Sequence, residues 1–124
     1  MSKALIVDDD AVDRIRIAAV LRCCGFDCVE ANDGVDALRF TSTRGIDLII
    51  TDMVMPRMDG LDLLAIISEG AFGARQLPTI ICSEHLRDDK YRHRPELDLA
   101  AVKLAKPFTT AELMRAIATS LPRI

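Results

Sequence analysis

Residues 48–60 read LIITDMVMPRMDG, and the fold is decided there. Leu48, Ile49 and Ile50 make a short apolar run with no polar alternation, the pattern of a strand covered on both faces. The run continues through Thr51 into Asp52. Met53–Gly60 then reads as a loop, punctuated by Pro56 and the Asp59-Gly60 pair. Upstream, Ala4–Val7 repeats the design, with an apolar run closed by Asp8-Asp9-Asp10. Downstream, Thr79–Ser83 is a similar run, and Ala101–Ala105 is another that ends at Lys106-Pro107. Phe26–Ala31, closed by the turn signal Asn32-Asp33-Gly34, completes the set of strands.

Helical spacing fills the intervals. Asp10 is placed to cap a helix over about Ala11 to Cys24, with Asp13 in capping-box spacing and Gly25 as the stop. Ile17, Val20, Leu21 and Cys24 fall on one face of it. Further helices are expected over about Val35 to Thr43 and Leu61 to Glu69. Thr109-x-x-Glu112 opens the last helix, with Leu113, Met114, Ile117 and Leu121 on one side. The stretch from Ser83 to Ala100 is charged and broken by Pro95. Strands alternating with helices give an α/β domain with a parallel sheet covered on both faces. Its crossovers are right-handed, and ligands sit beyond the carboxyl ends of its strands.

The 124 residues suit a single domain over 1–124, with a core from about 3 to 121 and no output domain. Half the chain is hydrophobic, enough for a core. The net charge of −3 argues against direct nucleic-acid binding through bulk positive charge. No apolar run exceeds five residues, so no membrane span is expected. The start MSKALIVDDD is unlike a secretory signal, and Cys23, Cys24, Cys28 and Cys82 read as reduced thiols. A cytoplasmic location is expected.

The carboxyl ends of the apolar runs hold a short polar list: Asp8-Asp9-Asp10, Asp52, Ser83 and Lys106. If these meet in one cleft, like charges a few ångströms apart repel by about 1–4 kcal/mol per pair. A cation offsets that cost, and hard oxygen donors in a tight site suit Mg²⁺. A carboxylate beside Mg²⁺ and a lysine is also a competent nucleophile toward a phosphoryl group.

The set VDD (Val7–Asp9), D-x-x-MP-x-MDG (Asp52–Gly60), Ser83 and KPF (Lys106–Phe108) resembles the receiver domain of bacterial response regulators, the CheY-like superfamily of two-component and phosphorelay signalling. The resemblance runs from about Lys3 to Leu121. It implies a flavodoxin-like (βα)5 fold, strand order 2-1-3-4-5, with five helices. It implies that Asp52 accepts a phosphoryl group from a histidine kinase or histidine phosphotransfer protein. It further implies that Asp9, Asp52 and the Val54 backbone carbonyl bind Mg²⁺ directly, and Asp8 mostly through water. Lys106 would grip the phosphoryl oxygens, with its bond to Pro107 cis. Attraction of the Ser83 hydroxyl would shift the loop after the fourth strand and so the binding of a downstream protein.

Two positions depart from the family pattern. Lys103 stands where receivers usually carry an aromatic residue, and a lysine snorkels outward rather than filling an apolar pocket. Glu84 follows the hydroxyl where a small residue is usual, and its carboxylate either repels an incoming phosphoryl donor or points into solvent, screened within about 8–10 Å at physiological salt. The segment His85–Arg94 reads as a solvated, irregular fourth helix, with a partner-docking face as the alternative.

Taken as a receiver, the chain is a phosphoacceptor with slow self-catalysed phosphorylation and dephosphorylation, not an enzyme in the ordinary sense. The competing reading is a small haloacid-dehalogenase-type phosphatase, since Asp8-Asp9-Asp10-Ala11-Val12 fits that family's D-x-D-x-T/V pattern with Asp8 as nucleophile. A receiver that binds partners without being phosphorylated is the third.

Overall fold

A computed structural model describes residues 2–41, 45–69 and 77–121. Five strands appear where the apolar runs predict them: β1 (Ser2–Val7), β2 (Phe26–Ala31), β3 (Leu48–Asp52), β4 (Thr79–Ser83) and β5 (Val102–Ala105). They form one parallel sheet in the order β2-β1-β3-β4-β5. The helices are α1 (Ala11–Cys23), α2 (Gly34–Thr41), α3 (Gly60–Ser68) and α4 (Thr110–Ser120). The last two residues of the helix expected over Val35–Thr43 lie outside the described residues.

Alternation along each strand sorts the core into two layers. Ala4, Ile6, Leu48, Ile50, Ile80 and Leu104 face α1 and α4, meeting Ile17, Ala18, Leu21, Leu113 and Ile117. On the opposite face, Leu5, Val7 and Ile49 meet Ala37, Leu63 and Ile67 from α2 and α3. Each fully buried Ile or Leu contributes about 1.5–3 kcal/mol relative to exposure, so the central strands anchor the fold.

The ends of the helices follow local chemistry. Asp10 caps α1, its side chain accepting from the Val12 N–H, and Gly25 at φ +90° turns the chain out of the helix. Thr109 and Glu112 form the predicted capping box of α4. Two expected face residues differ. Cys24 is exposed, as the residue that ends α1, and Met114 is 45% exposed, one position round from the buried Leu113–Ile117 stripe.

The fourth of the five expected helices is replaced. Among the described residues, the β4–β5 crossover holds turns and one 3₁₀ helix, Pro95–Leu99. Pro95 lacks an N–H and restricts the residue before it, so an α-helix cannot run through this point without a break. Leu97 plugs the core from the 3₁₀ turn, packing with Met53, Leu61, Leu64 and Ile81. Arg94 ties the crossover to α3, with Nη2 3.2 Å from Asp62 Oδ1 and 3.0 Å from Glu96 Oε1. Its Nη1 is 3.7 Å from Asp59 Oδ2.

Candidate functional site

From β1 the chain winds outward to β2 on one side and returns to β3 on the other, so the strand order reverses at the ends of β1 and β3. Such a reversal opens a crevice. Asp8 and Asp9 leave β1 there, and Asp52 ends β3. Carboxylate oxygens of Asp8, Asp9 and Asp52 lie within 4.8 Å of one another. Lys106 reaches in from the end of β5, its Nζ 2.8 Å from Asp8 Oδ2 and 3.8 Å from Asp52 Oδ2. The Lys106-Pro107 bond is cis, as expected.

Asp8 is 1% exposed and has both oxygens engaged. Oδ2 accepts from Lys106, and Oδ1 accepts from the Asp10 N–H at 2.9 Å. Asp9 is exposed. Asp52 lies between these extremes, with Oδ1 accepting from the Met53 N–H at 2.8 Å. Burial, opposed by the Lys106 charge and reinforced by the Asp8 and Asp9 carboxylates, raises the Asp52 pKa to about 6. Asp52 is therefore mainly ionised at neutral pH yet more basic than an ordinary aspartate, which suits a nucleophile. For Lys106, burial alone would depress the ammonium's pKa. The bonds to Asp8 and Asp13 outweigh it and hold the value above that of an ordinary lysine.

The loop that leaves Asp52 is fixed by close backbone approach. The Gly60 N–H donates to the Met53 carbonyl at 2.8 Å, and a Cβ at Gly60 would collide with the Asp52 carbonyl oxygen. Arg57 sits at φ +65°. Its Nε and Nη2 donate to the two oxygens of buried Asp33 at 2.7 and 3.1 Å, binding the loop to the start of α2.

Of the residues singled out in the sequence, Asp8, Asp9, Asp52, Val54, Glu84 and Lys106 all line this cleft. Ser83 is fully buried at the end of β4. Pairing of Asp52 with Cys82 and of Ser83 with Ala105 sets it between Asp52 and Lys106 in the sheet. Its Oγ accepts from the His85 N–H at 2.9 Å. Glu84 is exposed. Lys103 points away from the site, 46% exposed and 3.7 Å from Asp98 Oδ1.

Sequence reasoning missed two contributors. Asp13 forms no capping box with Asp10; its Oδ2 takes a second hydrogen bond from Lys106 Nζ at 3.0 Å. Arg14 Nη1 donates to the Asp8 carbonyl at 2.6 Å and its Nε to Glu30 at 3.2 Å. The signal was available: α1 begins directly after the acidic triplet, which leaves its first turn standing over the strand ends.

The donor set fits Mg²⁺, being all hard oxygen, anionic and partly open to solvent. The phosphatase alternative is not supported. Its nucleophile, Asp8, is sealed between Lys106 and a backbone N–H, and the more open, basic carboxylate is Asp52.

The model of the response regulator receiver domain matches residues 4–118. Over 122 residues the chain is 34% identical to the sensor histidine kinase RcsC of Salmonella typhi, covering 97% of this chain and 12% of that protein. The chain thus spans a small part of that relative. Its fold is similar to that of chemotaxis protein CheY4 of Vibrio cholerae, with TM-score 0.83, 26% identity and coverage of 98% and 99% of the two chains. It is equally similar to response regulator TrrA of Thermotoga maritima in complex with Mg(2+)-BeF, with TM-score 0.83, 25% identity and coverage of 98% and 100%. Sequence, strand order and acidic cleft agree: the chain belongs to the response regulator receiver domain family of two-component signalling, whose members are in general phosphoacceptors rather than true enzymes.

Proposed function

We propose that Asp52 is the phosphoacceptor and that its phosphorylation shifts the chain between two partner-binding states. One observation carries the reading: Lys106 Nζ lies within 3.8 Å of both Asp8 and Asp52, in a notch where three carboxylates lie within 4.8 Å of one another. The Asp52 carboxylate attacks the phosphorus of a phosphohistidine. The donor's P–N bond breaks as the new P–O bond forms, and the released imidazole takes up a proton. Asp9, Asp52 and the Val54 carbonyl would hold Mg²⁺ directly, with Asp8, which is bonded to Lys106 and the Asp10 N–H, reached through water. An ion held there would supply charge neutralisation for the transferring group. Lys106 pairs with the phosphoryl oxygens once they arrive.

Ser83 supplies the switch. Its Oγ accepts from His85, which leaves its hydroxyl proton to be donated to a phosphoryl oxygen. With Lys103 turned to solvent, Ser83 and its loop relay the change without a ring rotamer at that position. The donor is a histidine kinase or histidine phosphotransfer protein, the target a downstream protein, and the setting cytoplasmic. No helix among the described residues is long and apolar enough to cross a membrane. Hydrolysis of the aspartyl phosphate is slow and self-catalysed.

Incubation with acetyl phosphate and Mg²⁺, followed by mapping of the acyl phosphate, tests this directly. Label on Asp52, lost in Asp52→Asn and without Mg²⁺, is expected. Label on Asp8, or undiminished label in Asp52→Asn, rejects the assignment.

A further inference from the structure

Two residues beyond Ser83 the chain sets an imidazole on the rim of the acidic cleft. His85 lines the same opening as Asp9, Asp52 and Lys106. Its side chain is 40% exposed, and Nδ1 lies 2.7 Å from Asp88 Oδ2. An ionised carboxylate only accepts hydrogen bonds, so Nδ1 carries the hydrogen and the neutral ring keeps its lone pair on Nε2. Glu84 Oε1 stands 3.8 Å from Nε2, too far for a hydrogen bond but near enough to offset positive charge on the ring. Local backbone bonds build this pair. The Asp88 N–H donates to the His85 carbonyl at 3.0 Å, and the Tyr91 and Arg92 N–H groups both donate to the Asp88 carbonyl at 2.9 Å. The Tyr91 ring lies tilted beside the imidazole, at 6.3 Å between centroids.

The pair is also wired to the switch. The His85 N–H donates to Ser83 Oγ at 2.9 Å.

We propose that His85, oriented by Asp88, is the general base that sets the lifetime of the phosphorylated state. This rests on Asp52 being the phosphoacceptor. A water oxygen attacks the phosphorus while the bond from phosphorus to the Asp52 oxygen breaks. Asp52 leaves as a carboxylate and the phosphoryl group as inorganic phosphate. The water's proton passes to His85 Nε2, where Asp88 and Glu84 flank the charged ring, and then to solvent. Histidine at this position has a plain structural account as a solvated turn residue. The bond to Asp88, the shared cleft and the link to Ser83 together favour the catalytic one.

The test is a chase. The chain is labelled with radioactive acetyl phosphate and Mg²⁺, the donor is removed, and loss of label and release of inorganic phosphate are followed. His85→Ala, checked for an unchanged thermal melt, is expected to label to at least the parental extent and to lose label about a hundredfold more slowly. Added imidazole should restore phosphate release in His85→Ala while leaving the parent unchanged. Asp88→Asn should give an intermediate rate. A His85→Ala chain that decays at the parental rate, or decays slowly with no response to imidazole, overturns the proposal. A parent chain that never labels overturns the phosphoacceptor reading as well, and the two failures are thereby distinguished.

Discussion

Replacing Asp52 by Asn should stabilise the metal-free protein, and the gain should grow with pH. Burial and the neighbouring Asp8 and Asp9 carboxylates raise the Asp52 pKa from 3.8 to about 6 in the folded state. Folding therefore favours the protonated form. Between those two values the native chain binds more protons than the unfolded one, so stability falls as pH rises and levels off above about 6. Roughly two pH units at about 1.4 kcal/mol each amount to about 3 kcal/mol of charge burden at neutral pH. About 2 kcal/mol of that accrues between about pH 4.5 and 7.5. Asn is nearly isosteric, keeps an acceptor for the Met53 N–H and carries no charge. Urea denaturation of both chains in EDTA at the two pH values reads the difference directly. Asp52→Asn should be about 2 kcal/mol further ahead of the parent at the higher pH. Saturating Mg²⁺ should close the gap, because it binds the native parent more tightly than the variant. A variant no more stable than its parent in EDTA at neutral pH, or ahead by the same margin at both pH values, would refute the electrostatic reasoning.

Other outcomes follow from single residues. Gly60→Ala places a methyl group against the Asp52 carbonyl oxygen and should destabilise the chain by about 1–3 kcal/mol in urea melts, with loss of phosphate labelling as the loop shifts. Thr109→Ala removes the acceptor for the Glu112 N–H and should cost about 1 kcal/mol, while leaving the rate of labelling unchanged. Glu84→Ala removes an exposed carboxylate from the rim and should speed labelling of Asp52 by acetyl phosphate, more so at low salt than at high. An unchanged rate at low salt would show that Glu84 does not hinder the donor.

The sheet was legible because its strands are buried on both sides. Ile49 lies between Leu48 and Ile50, and Ile81 between Ile80 and Cys82, with no polar residue beside them to blur the period, and Thr51 hides its hydroxyl against the Asp52 carbonyl. Asp8, Asp52 and Lys106 were legible because strand ends in a doubly wound sheet point at one crevice. The role of Asp13 was not, since a capping acid and a lysine-binding acid look alike in sequence and only the distance of α1 from Lys106 separates them. The β4–β5 crossover was unreadable for another reason. Its geometry is held by Leu97 in the core and by Arg94 across to α3, contacts far apart in sequence that no local pattern encodes.

That last arrangement gives the molecule a soft side. A five-residue 3₁₀ turn contributes few backbone bonds of its own, and the guanidinium that fastens it is 30% exposed among three carboxylates at 3.0–3.7 Å. Exposed ion pairs weaken as electrolyte is added, whereas the buried strands beneath are indifferent to it. Rising ionic strength thus slackens the grip of Arg94 on α3 while Leu97 and the strands stay in place, and the crossover that follows Ser83 answers to its ionic surroundings.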